Sequence, residues 1–317
     1  MLDVIFIFAG AALAALVLVW LTLKAVKKAG AGQFIREEGP STHQTKVGTP
    51  TMGGIGFLLA ILFMSGYCTG LVYLPLFLLV GGFAALGFSD DILKVINKRN
   101  LGLTFWQKIF LQTLMAGAFS AYLTFLGYAG GVAGPLAWLG FSIPIFYFLL
   151  SVFILVGSAN AANLTDGLDG LLAGCALFSF LAFSCVFYLQ GDLFLLMISI
   201  SSAGAMLGFL FFNFPKAKIF MGDVGSLSTG ALLAGLAVLS HLELLLIVFG
   251  LVFVIEALSV IIQVFSYKLF KKRVFKMSPL HHHFEQLGWP EKKVVLVFWF
   301  VQFAACLLGV LLFYALY

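Results

Sequence analysis

The run DGLLAGCALFSFLAFSCVFYLQGDLFLLMISISSAGAMLGFLFFN, residues 169–213, contains two apolar segments, 169–190 and 193–213, joined by a short turn. Each segment is close to the roughly 20 residues that an α-helix needs to cross a bilayer. The sequence therefore predicts an all-α, polytopic integral membrane protein of about ten transmembrane helices. The other predicted spans are 3–23, 52–72, 74–93, 105–127, 143–163, 223–241, 243–267 and 294–316.

The composition supports this fold class. Of the 317 residues, 62% are apolar and 10% are charged, whereas soluble domains carry about 25% charged residues. A soluble core cannot bury so much apolar surface, a disordered chain would be more polar, and a β-barrel would alternate polar and apolar residues. The cysteines lie in or beside apolar runs without CxxC spacing and are interpreted as packing residues: Cys68, Cys175, Cys185 and Cys306.

The basic residues indicate the orientation in the membrane. All 18 lysines and arginines lie in or at the edges of the loops after predicted spans one, three, seven and nine. The positive-inside rule places these loops in the cytoplasm and both termini outside, which an even number of spans allows. Because the basic residues are spread over several loops, we do not expect nucleic-acid binding. We predict one transmembrane domain, 1–317, with functional cytoplasmic loops at 24–51, 91–108, 160–170, 214–226 and 268–293.

Two adjacent acids, Asp90 and Asp91, end the third predicted span. Charges near a bilayer are costly, so each acid there requires an explanation. Neighbouring residues on a helix point about 100° apart, so the two carboxylates need not share one ligand. Taken alone, they would be interpreted as a solvated helix end with Lys94 as a partner one turn later.

A second polar cluster, SANAANLTDGLDG, spans Ser158–Gly170. Four polar residues recur at every third position and would form one stripe on a helix: Asn160, Asn163, Asp166 and Asp169. The glycines indicate a turn where a ligand can approach the backbone. A polar loop would explain the glycines but not two asparagines inside the end of an apolar run, so we favour a functional role. For Asp169 alone, a structural role as the cap of span six is the alternative.

A third cluster, FPKAKIFMGDVGS, spans Phe214–Ser226. Asp223 lies between glycines at the start of an apolar helix, which predicts an N-cap, and helix N-termini favour carboxylates and phosphates. A cap alone would not require Phe220 or the two lysines upstream. The glycine-rich lead Lys46–Gly54 (KVGTPTMGG) is weaker, since it lacks the P-loop spacing.

A histidine run lies in Met277–Glu285 (MSPLHHHFE). Three consecutive histidines fan out and lack the i,i+4 spacing of a zinc site, so contact of an imidazole with phosphate or uracil is the better hypothesis. The preceding stretch, Lys268–Lys276, mixes apolar residues with five basic ones. It is predicted to lie on anionic membrane lipids at the interface.

Acids, amides, lysines and histidines on one face suit a metal-assisted pyrophosphate site. Mg²⁺ takes one or two carboxylates and completes its shell with substrate oxygens and water, while lysines balance the remaining phosphate charge. Without a metal, the acids would repel an anionic substrate. We therefore expect Mg²⁺ as the cofactor.

The same elements resemble the polyprenyl-phosphate N-acetylhexosamine-1-phosphate transferases over nearly the whole chain. The Asp pair and the Gly-Asp element occur across that superfamily, whereas PTMGG and HHHFE are more specific to its muramoyl-pentapeptide branch. The resemblance implies ten transmembrane helices, a cytoplasmic active site in the bacterial inner membrane and a homodimer. It rests on five motifs: Gly48–Gly54, Ser89–Asp91 with Lys94, Asn160–Gly170, Phe220–Ser226 and Ser278–Glu285.

The resemblance also implies a reaction and a set of residues. Undecaprenyl phosphate would attack the β-phosphate of UDP-N-acetylmuramoyl-pentapeptide with Mg²⁺ present, giving lipid I and UMP. Asp223, with Asn163 as a possible second ligand, would hold the metal, and Phe220 would stack on uracil. The implied catalytic residues are Asp90, Asp91, Asp223 and His282. The implied substrate-binding residues are Lys46, Thr51, Lys94, Lys108, Asn160, Asn163, Asp166, Phe220, Gln263, His281 and His283.

Two other functions are compatible with the sequence. A sister transferase would use UDP-N-acetylglucosamine, and only the HHHFE element argues against it. A membrane permease would keep ionisable groups near the midplane and show repeated halves, whereas here the acids lie at span ends and no repeat is visible. Within the transferase, Asp223 would either form a phospho-enzyme or leave the lipid phosphate to attack directly. We favour direct attack, because a phosphate monoester with a second pKa of about 6 is largely dianionic at neutral pH.

Overall fold

The computed structural model describes residues 2–30, 32, 46, 48–69, 73–97, 101–128, 136, 139–140 and 142–316. These residues form twelve α-helices and no strand, so the all-α prediction is confirmed for them. The helices are α1 Leu2–Lys28, α2 Gly54–Thr69, α3 Leu74–Ile96, α4 Phe105–Phe125, α5 Pro144–Thr165, α6 Leu171–Gln190, α7 Leu193–Asn213, α8 Gly222–Leu239, α9 Glu243–Phe249, α10 Leu251–Phe270, α11 Leu280–Gln286 and α12 Glu291–Leu316.

Eight of these helices are long and apolar enough to cross a membrane: α1, α3, α5, α6, α7, α8, α10 and α12. The apolar helix α2 has only 16 residues, and α4 carries Gln107, Lys108 and Gln112 in its first half. Large apolar side chains cover the outer surface, such as Phe63, Phe153 and Phe300, which are each about 70% exposed. Exposed apolar surface on this scale requires a lipid environment, so the protein is a multi-pass membrane protein.

The prediction of one continuous helix over 243–267 is wrong. The chain breaks at Gly250, between α9 and α10, and two distant polar side chains bind the backbone groups at the break. The Phe249 carbonyl oxygen accepts hydrogen bonds from the Ser179 hydroxyl and the Gln302 amide, and the Val252 N–H donates to Gln302 Oε1 at 3.0 Å. A break inside an apolar region is stable because neighbouring helices satisfy its backbone groups.

The helix α8 lies at the centre and is the most buried of the candidate spans. Its sequence is rich in glycine, alanine and serine, and such small side chains allow close approach of neighbouring helices. Helices α3 and α5 pack on α8, α4 and α10 pack on α5, and α1, α2 and α6 pack on α7. This packing brings the ends of α3 and α5 to the start of α8.

All four cysteines are free thiols. Cys175 and Cys306 are buried, which confirms a packing role for them, whereas Cys68 is half-buried and Cys185 lies on the exposed face of α6.

Candidate active site

Three carboxylates meet where α3 ends and α8 begins. Asp90 and Asp91 lie in the last two turns of α3, and Asp223 is the second residue of α8. One oxygen from each side chain lies within 4.8 Å of the other two. Residues 132 positions apart in the sequence therefore form one acidic cluster, and adjacent helical positions did not prevent Asp90 and Asp91 from sharing it.

Two lysines hold these acids together. Lys94 Nζ lies 2.7 Å from Asp90 Oδ2 and 3.1 Å from Asp223 Oδ1. Lys108 Nζ, from the first turn of α4, lies 2.8 Å from Asp90 Oδ2 and 2.7 Å from Asp223 Oδ2. Three carboxyl groups thus face two ammonium groups, an arrangement that a dication or an incoming anionic substrate can enter by exchanging these pairings.

The solvated helix end considered for Asp90 and Asp91 is wrong. Asp90 is 0% exposed and Asp91 is 3% exposed. Asp90 Oδ1 also accepts the Leu103 N–H at 2.7 Å, which ties the loop before α4 to α3. Carboxylates enclosed in this way require charged or hydrogen-bonding partners, and both have them.

The N-cap predicted for Asp223 is supplied by another residue. The Val224 N–H at the start of α8 donates to Asp91 Oδ2 at 3.1 Å, so an acid from α3 caps α8 and leaves the Asp223 oxygens to the lysines. Gly222 makes this contact possible, because it has a φ of +76° and a Cβ there would lie 2.5 Å from Asp91 Oδ2.

The two asparagines of α5 serve different neighbours. Asn163 Nδ2 lies 3.2 Å from Asp223 Oδ1 and 2.8 Å from Ser226 Oγ, next to the acidic cluster. Asn160 Nδ2 instead donates to Gln112 Oε1 of α4 at 2.6 Å. These two residues of the predicted stripe therefore serve different sites, because Asn160 packs against α4 and Asn163 against α8.

The glycine-rich lead binds the segment before α8 through the backbone. The Phe220 N–H donates to the Pro50 carbonyl, and the Gly53 N–H donates to the Phe220 carbonyl, both at 2.8 Å. Phe220 is half-buried, and Thr51 is 4% exposed beside Gly222. Both residues thus lie at the edge of the acidic cluster.

The turn after α5 carries Asp166. Burial, followed by the nearby charges of Asp223 and Asp91, raises the pKa of Asp166 well above its ordinary value of 3.8. A group with such a shifted pKa in a site of this kind is typical of functional residues.

The three histidines have different hydrogen-bond partners, although the rings of His281 and His282 lie against each other with centroids 4.1 Å apart. The fully buried His281 lies with Nδ1 3.1 Å from Glu256 Oε1, while its Nε2 is pressed against Gly167 and has no hydrogen-bond partner among the described residues. His282 Nδ1 lies 2.7 Å from Glu285 Oε2, and His283 Nδ1 accepts the Lys276 N–H. The sequence analysis missed Glu256, although a glutamate inside the apolar run 243–267 was a signal.

The side chain of Gln263 forms hydrogen bonds with the loop after α10. Its Oε1 accepts the N–H groups of Val274 and Phe275 at 3.0 Å, and its Nε2 donates to the Phe275 carbonyl at 2.9 Å. It thus shapes the basic segment before α11. Lys216 and Lys218 of the third cluster lie exposed on the α7–α8 loop.

Lys46 belongs to a second ionic cluster. Its Nζ lies 2.7 Å from Asp169 Oδ1 and 2.5 Å from Glu291 Oε1. Burial opposes the charged ammonium, but these two carboxylates outweigh it and raise the pKa of Lys46. Asp169 does not cap α6, since Gly170 is the cap residue and Asp169 Oδ2 accepts the Ala217 N–H at 2.8 Å.

Asn213 at the end of α7 was also missed by the sequence analysis. It is buried, its Oδ1 accepts the Gly170 N–H at 2.9 Å, and its Nδ2 donates to the Ile219 carbonyl. It joins the turn after α5 to the loop before α8. An asparagine at the end of an apolar run was the available signal.

The acidic cluster has the chemistry of a magnesium site. Its donor atoms are all carboxylate oxygens, with the amide of Asn163 next to Asp223, and hard oxygen donors are what Mg²⁺ prefers. The residues present therefore fit a divalent cation, provided that the lysines turn from the acids to an incoming anion.

Comparison with known proteins identifies the family. The family model described as glycosyl transferase family 4 matches residues 73–241. Proteins named phospho-N-acetylmuramoyl-pentapeptide-transferase are similar over most of the chain. That of Shouchella clausii is 47% identical over 304 residues, 94% of this chain and 93% of the relative. Those of Oceanobacillus iheyensis and Bacillus subtilis are 50% and 47% identical over 288 and 286 residues, 88% of each chain. The chain belongs to the phospho-N-acetylmuramoyl-pentapeptide transferases, within glycosyl transferase family 4.

Proposed function

We propose that the protein transfers phospho-N-acetylmuramoyl-pentapeptide from its UDP ester to undecaprenyl phosphate, giving lipid I and UMP for peptidoglycan synthesis. The observation that carries this proposal is the convergence of Asp90, Asp91 and Asp223 with two lysines at one end of an apolar helix bundle. At that place a lipid acceptor can arrive from the membrane and a polar nucleotide from water.

Mg²⁺ would be held by Asp223 and Asn163, with Asp90 or Asp91 as a further ligand. When bound, it would neutralise charge on the diphosphate and on the departing UMP. Lys94 and Lys108 are proposed to exchange part of their pairing with the acids for pairing with phosphate oxygens. Their role is to orient the two phosphates and to balance their charge, which is where most of the rate in phosphoryl transfer originates.

Direct attack by the lipid phosphate is the mechanism we favour. Both oxygens of Asp223 already accept hydrogen bonds or ion pairs, from Lys94 and Asn163 on Oδ1 and from Lys108 on Oδ2. When the lysines turn to phosphate, the proposed Mg²⁺ would take their place on Asp223, and lone pairs engaged in this way make a poor nucleophile. Asp90 would take any residual proton from the lipid phosphate. Trapping of a covalent phospho-Asp223 after rapid denaturation would contradict direct attack.

The nucleoside is proposed to bind beside Asp166, with Phe220 on the uracil ring and the histidines near the phosphates. The support is that Phe220 and Asp166 lie in two segments beside the acidic cluster, and that His281 packs against Gly167, the residue after Asp166. Asp223→Asn and Phe220→Ala should separate these roles, since the first should lower kcat and the second should raise KM for the nucleotide.

The proposed topology has ten crossings, which are the eight long apolar helices, α2 and α4, with the pair α9 and α10 counted as one crossing. Lysines lie at the acidic end of the bundle, at the end of α1, α3 and α10 and at the start of α12. By the positive-inside rule, that end faces the cytoplasm of the bacterial inner membrane and both termini face outward. Cysteine labelling from each side of sealed vesicles tests the orientation. We also propose that the protein forms a homodimer.

One assay tests the function. Purified protein in detergent receives undecaprenyl phosphate, Mg²⁺ and either UDP-N-acetylmuramoyl-pentapeptide or UDP-N-acetylglucosamine. We expect UMP release with the pentapeptide nucleotide alone. Release with the glucosamine nucleotide alone would identify the sister transferase, and release with neither would contradict an enzyme of this class and favour a permease.

A further inference from the structure

The first turn of α12 contains an acid that lies outside the motifs of the sequence analysis. We propose that Glu291 is a positioning residue, which holds Lys46 and the turn at residues 168–170 in the arrangement that binds the nucleotide substrate. This inference rests on the proposed function, since it assigns a residue to the nucleotide side of the same site.

One oxygen of Glu291 serves two partners. Glu291 Oε1 accepts from Lys46 Nζ at 2.5 Å and from the Asp169 N–H at 2.8 Å. Lys46 Nζ also donates to Asp169 Oδ1 at 2.7 Å, which closes a triangle of contacts. Three parts of the chain that are far apart in sequence meet there: the lead into α2, the turn after α5 and the start of α12.

The helix α12 holds this turn at a second point as well. Trp299, about two helical turns after Glu291, donates from Nε1 to the Gly170 carbonyl at 3.1 Å. The same turn begins at Asp166, which lies close enough to Asp91 and Asp223 for their charges to raise its pKa. A shift of α12 relative to the turn would therefore move the nucleotide side of the proposed site, whereas the acidic cluster itself is held by Lys94 and Lys108.

The alternative is an ordinary surface ion pair, which contributes little. Burial argues against it, because the side chains of Lys46, Asp169 and Glu291 are 18%, 9% and 27% exposed. An ammonium group has three N–H donors, and the two carboxylates take two of them. Asp169 and Glu291 then orient the third donor of Lys46, which has no partner among the residues that the structure describes and is proposed to bind an anionic ligand.

The test is a kinetic comparison of Glu291→Ala with the wild type. We expect KM for UDP-N-acetylmuramoyl-pentapeptide to rise about tenfold, the effect of losing one charge-assisted hydrogen bond. We expect kcat to stay within about twofold and KM for undecaprenyl phosphate to stay unchanged, because the acidic cluster is intact. Calorimetric titration with UMP should show the same loss of affinity without turnover.

Two further variants complete the test. Glu291→Gln keeps an acceptor for the Asp169 N–H and should recover part of the affinity. Lys292→Gln changes the exposed neighbouring residue and should match the wild type in every measurement. Unchanged KM in a folded Glu291→Ala protein would overturn the inference, and so would equal weakening of both substrates together with a lower melting temperature. Wild-type protein without UMP release would contradict the proposed function, while UMP titration would still test Glu291.

Discussion

Buried acids lie at both ends of α8, and their surroundings differ. At the start of α8, Asp223 converges with Asp90 and Asp91 on two lysines. Past its end, Glu243 is 5% exposed and accepts a hydrogen bond from the Tyr147 hydroxyl at 2.9 Å. Burial lowers the pKa of the neighbouring His241, so the imidazole is neutral near pH 7 and does not balance the acid.

The comparison shows that burial of an acid does not by itself identify an active site. The Glu243 cluster joins the start of α5 to the end of α8, since the Tyr147 hydroxyl also donates to the Val238 carbonyl at 3.0 Å. One acid and neutral donors stabilise a helix junction. Three acids that converge on two lysines exceed what a junction requires, and that excess indicates chemistry.

The largest expected effect separates the two ends directly. Asp223→Asn should lower kcat by about 10³-fold, because it removes a carboxylate on which two lysines and the proposed metal depend. The matched variant Glu243→Gln should keep kcat within about threefold. UMP release and circular dichroism measure both variants, and excess Mg²⁺ should restore little activity to Asp223→Asn. Similar losses in the two variants would remove the distinction between the ends.

A smaller loss is expected at the lysine that bridges two acids. Lys108→Gln should lower kcat by about 10²-fold, because Asp90 and Asp223 lose a shared cation and a phosphate loses a charge partner. The exposed Lys272 of the basic segment provides the control, and Lys272→Gln should leave kcat unchanged in the same assay. Equal activity of the two variants would show that Lys108 acts through the overall positive charge of this side and not through its contacts with Asp90 and Asp223.

Asp166→Asn should lower turnover about tenfold and yet stabilise the protein at neutral pH. The raised pKa means that the folded state binds the proton more tightly than the unfolded state, so stability present below pH 3.8 is lost as the pH rises. The variant lacks this loss. Its melting temperature, measured in EDTA, should exceed that of the wild type at pH 8, and the difference should shrink towards pH 4. A difference that is independent of pH would contradict the charge explanation.

The smallest effect on turnover is expected past the end of α8, where Tyr147 contacts Glu243. Tyr147→Phe should lower the free energy of unfolding by about 1 kcal/mol, since Glu243 loses its donor, and should leave kcat unchanged. Thermal unfolding in detergent and UMP release measure the two quantities. A loss of turnover without a loss of stability would show that the two ends are coupled through α8.

Much of the fold was predictable from hydrophobic runs alone. The predicted span 193–213 coincides with α7, and the other long spans agree with helices within a few residues, because the length of an apolar run decides whether it crosses a bilayer. The break at Gly250 was not predictable, since its partners Ser179 and Gln302 lie on other helices.

The candidate site was predictable as a set of residues but not as an arrangement. The predicted residues that do meet are Asp90, Asp91, Asp223, Lys94, Lys108 and Asn163. By contrast, Lys46 pairs with Asp169 and Glu291, Asn160 with α4 and Gln263 with a nearby loop. The roles of these residues towards substrate remain predictions. Glu256 and Glu291 were not predicted because neither lies in a motif. Their contacts with His281 and Lys46 form only when distant parts of the chain pack together.

The amino-acid order alone determined that this chain is helical, that it lies in a membrane and that polar groups gather at one side, because those properties depend on short-range composition. Tertiary structure decided which polar groups pair with each other. Asp91 accepts a capping hydrogen bond from Val224, 133 residues later in the chain, and Lys46 pairs with Glu291 across most of the chain. Such pairings depend on distances in space, which spacing along a sequence does not encode.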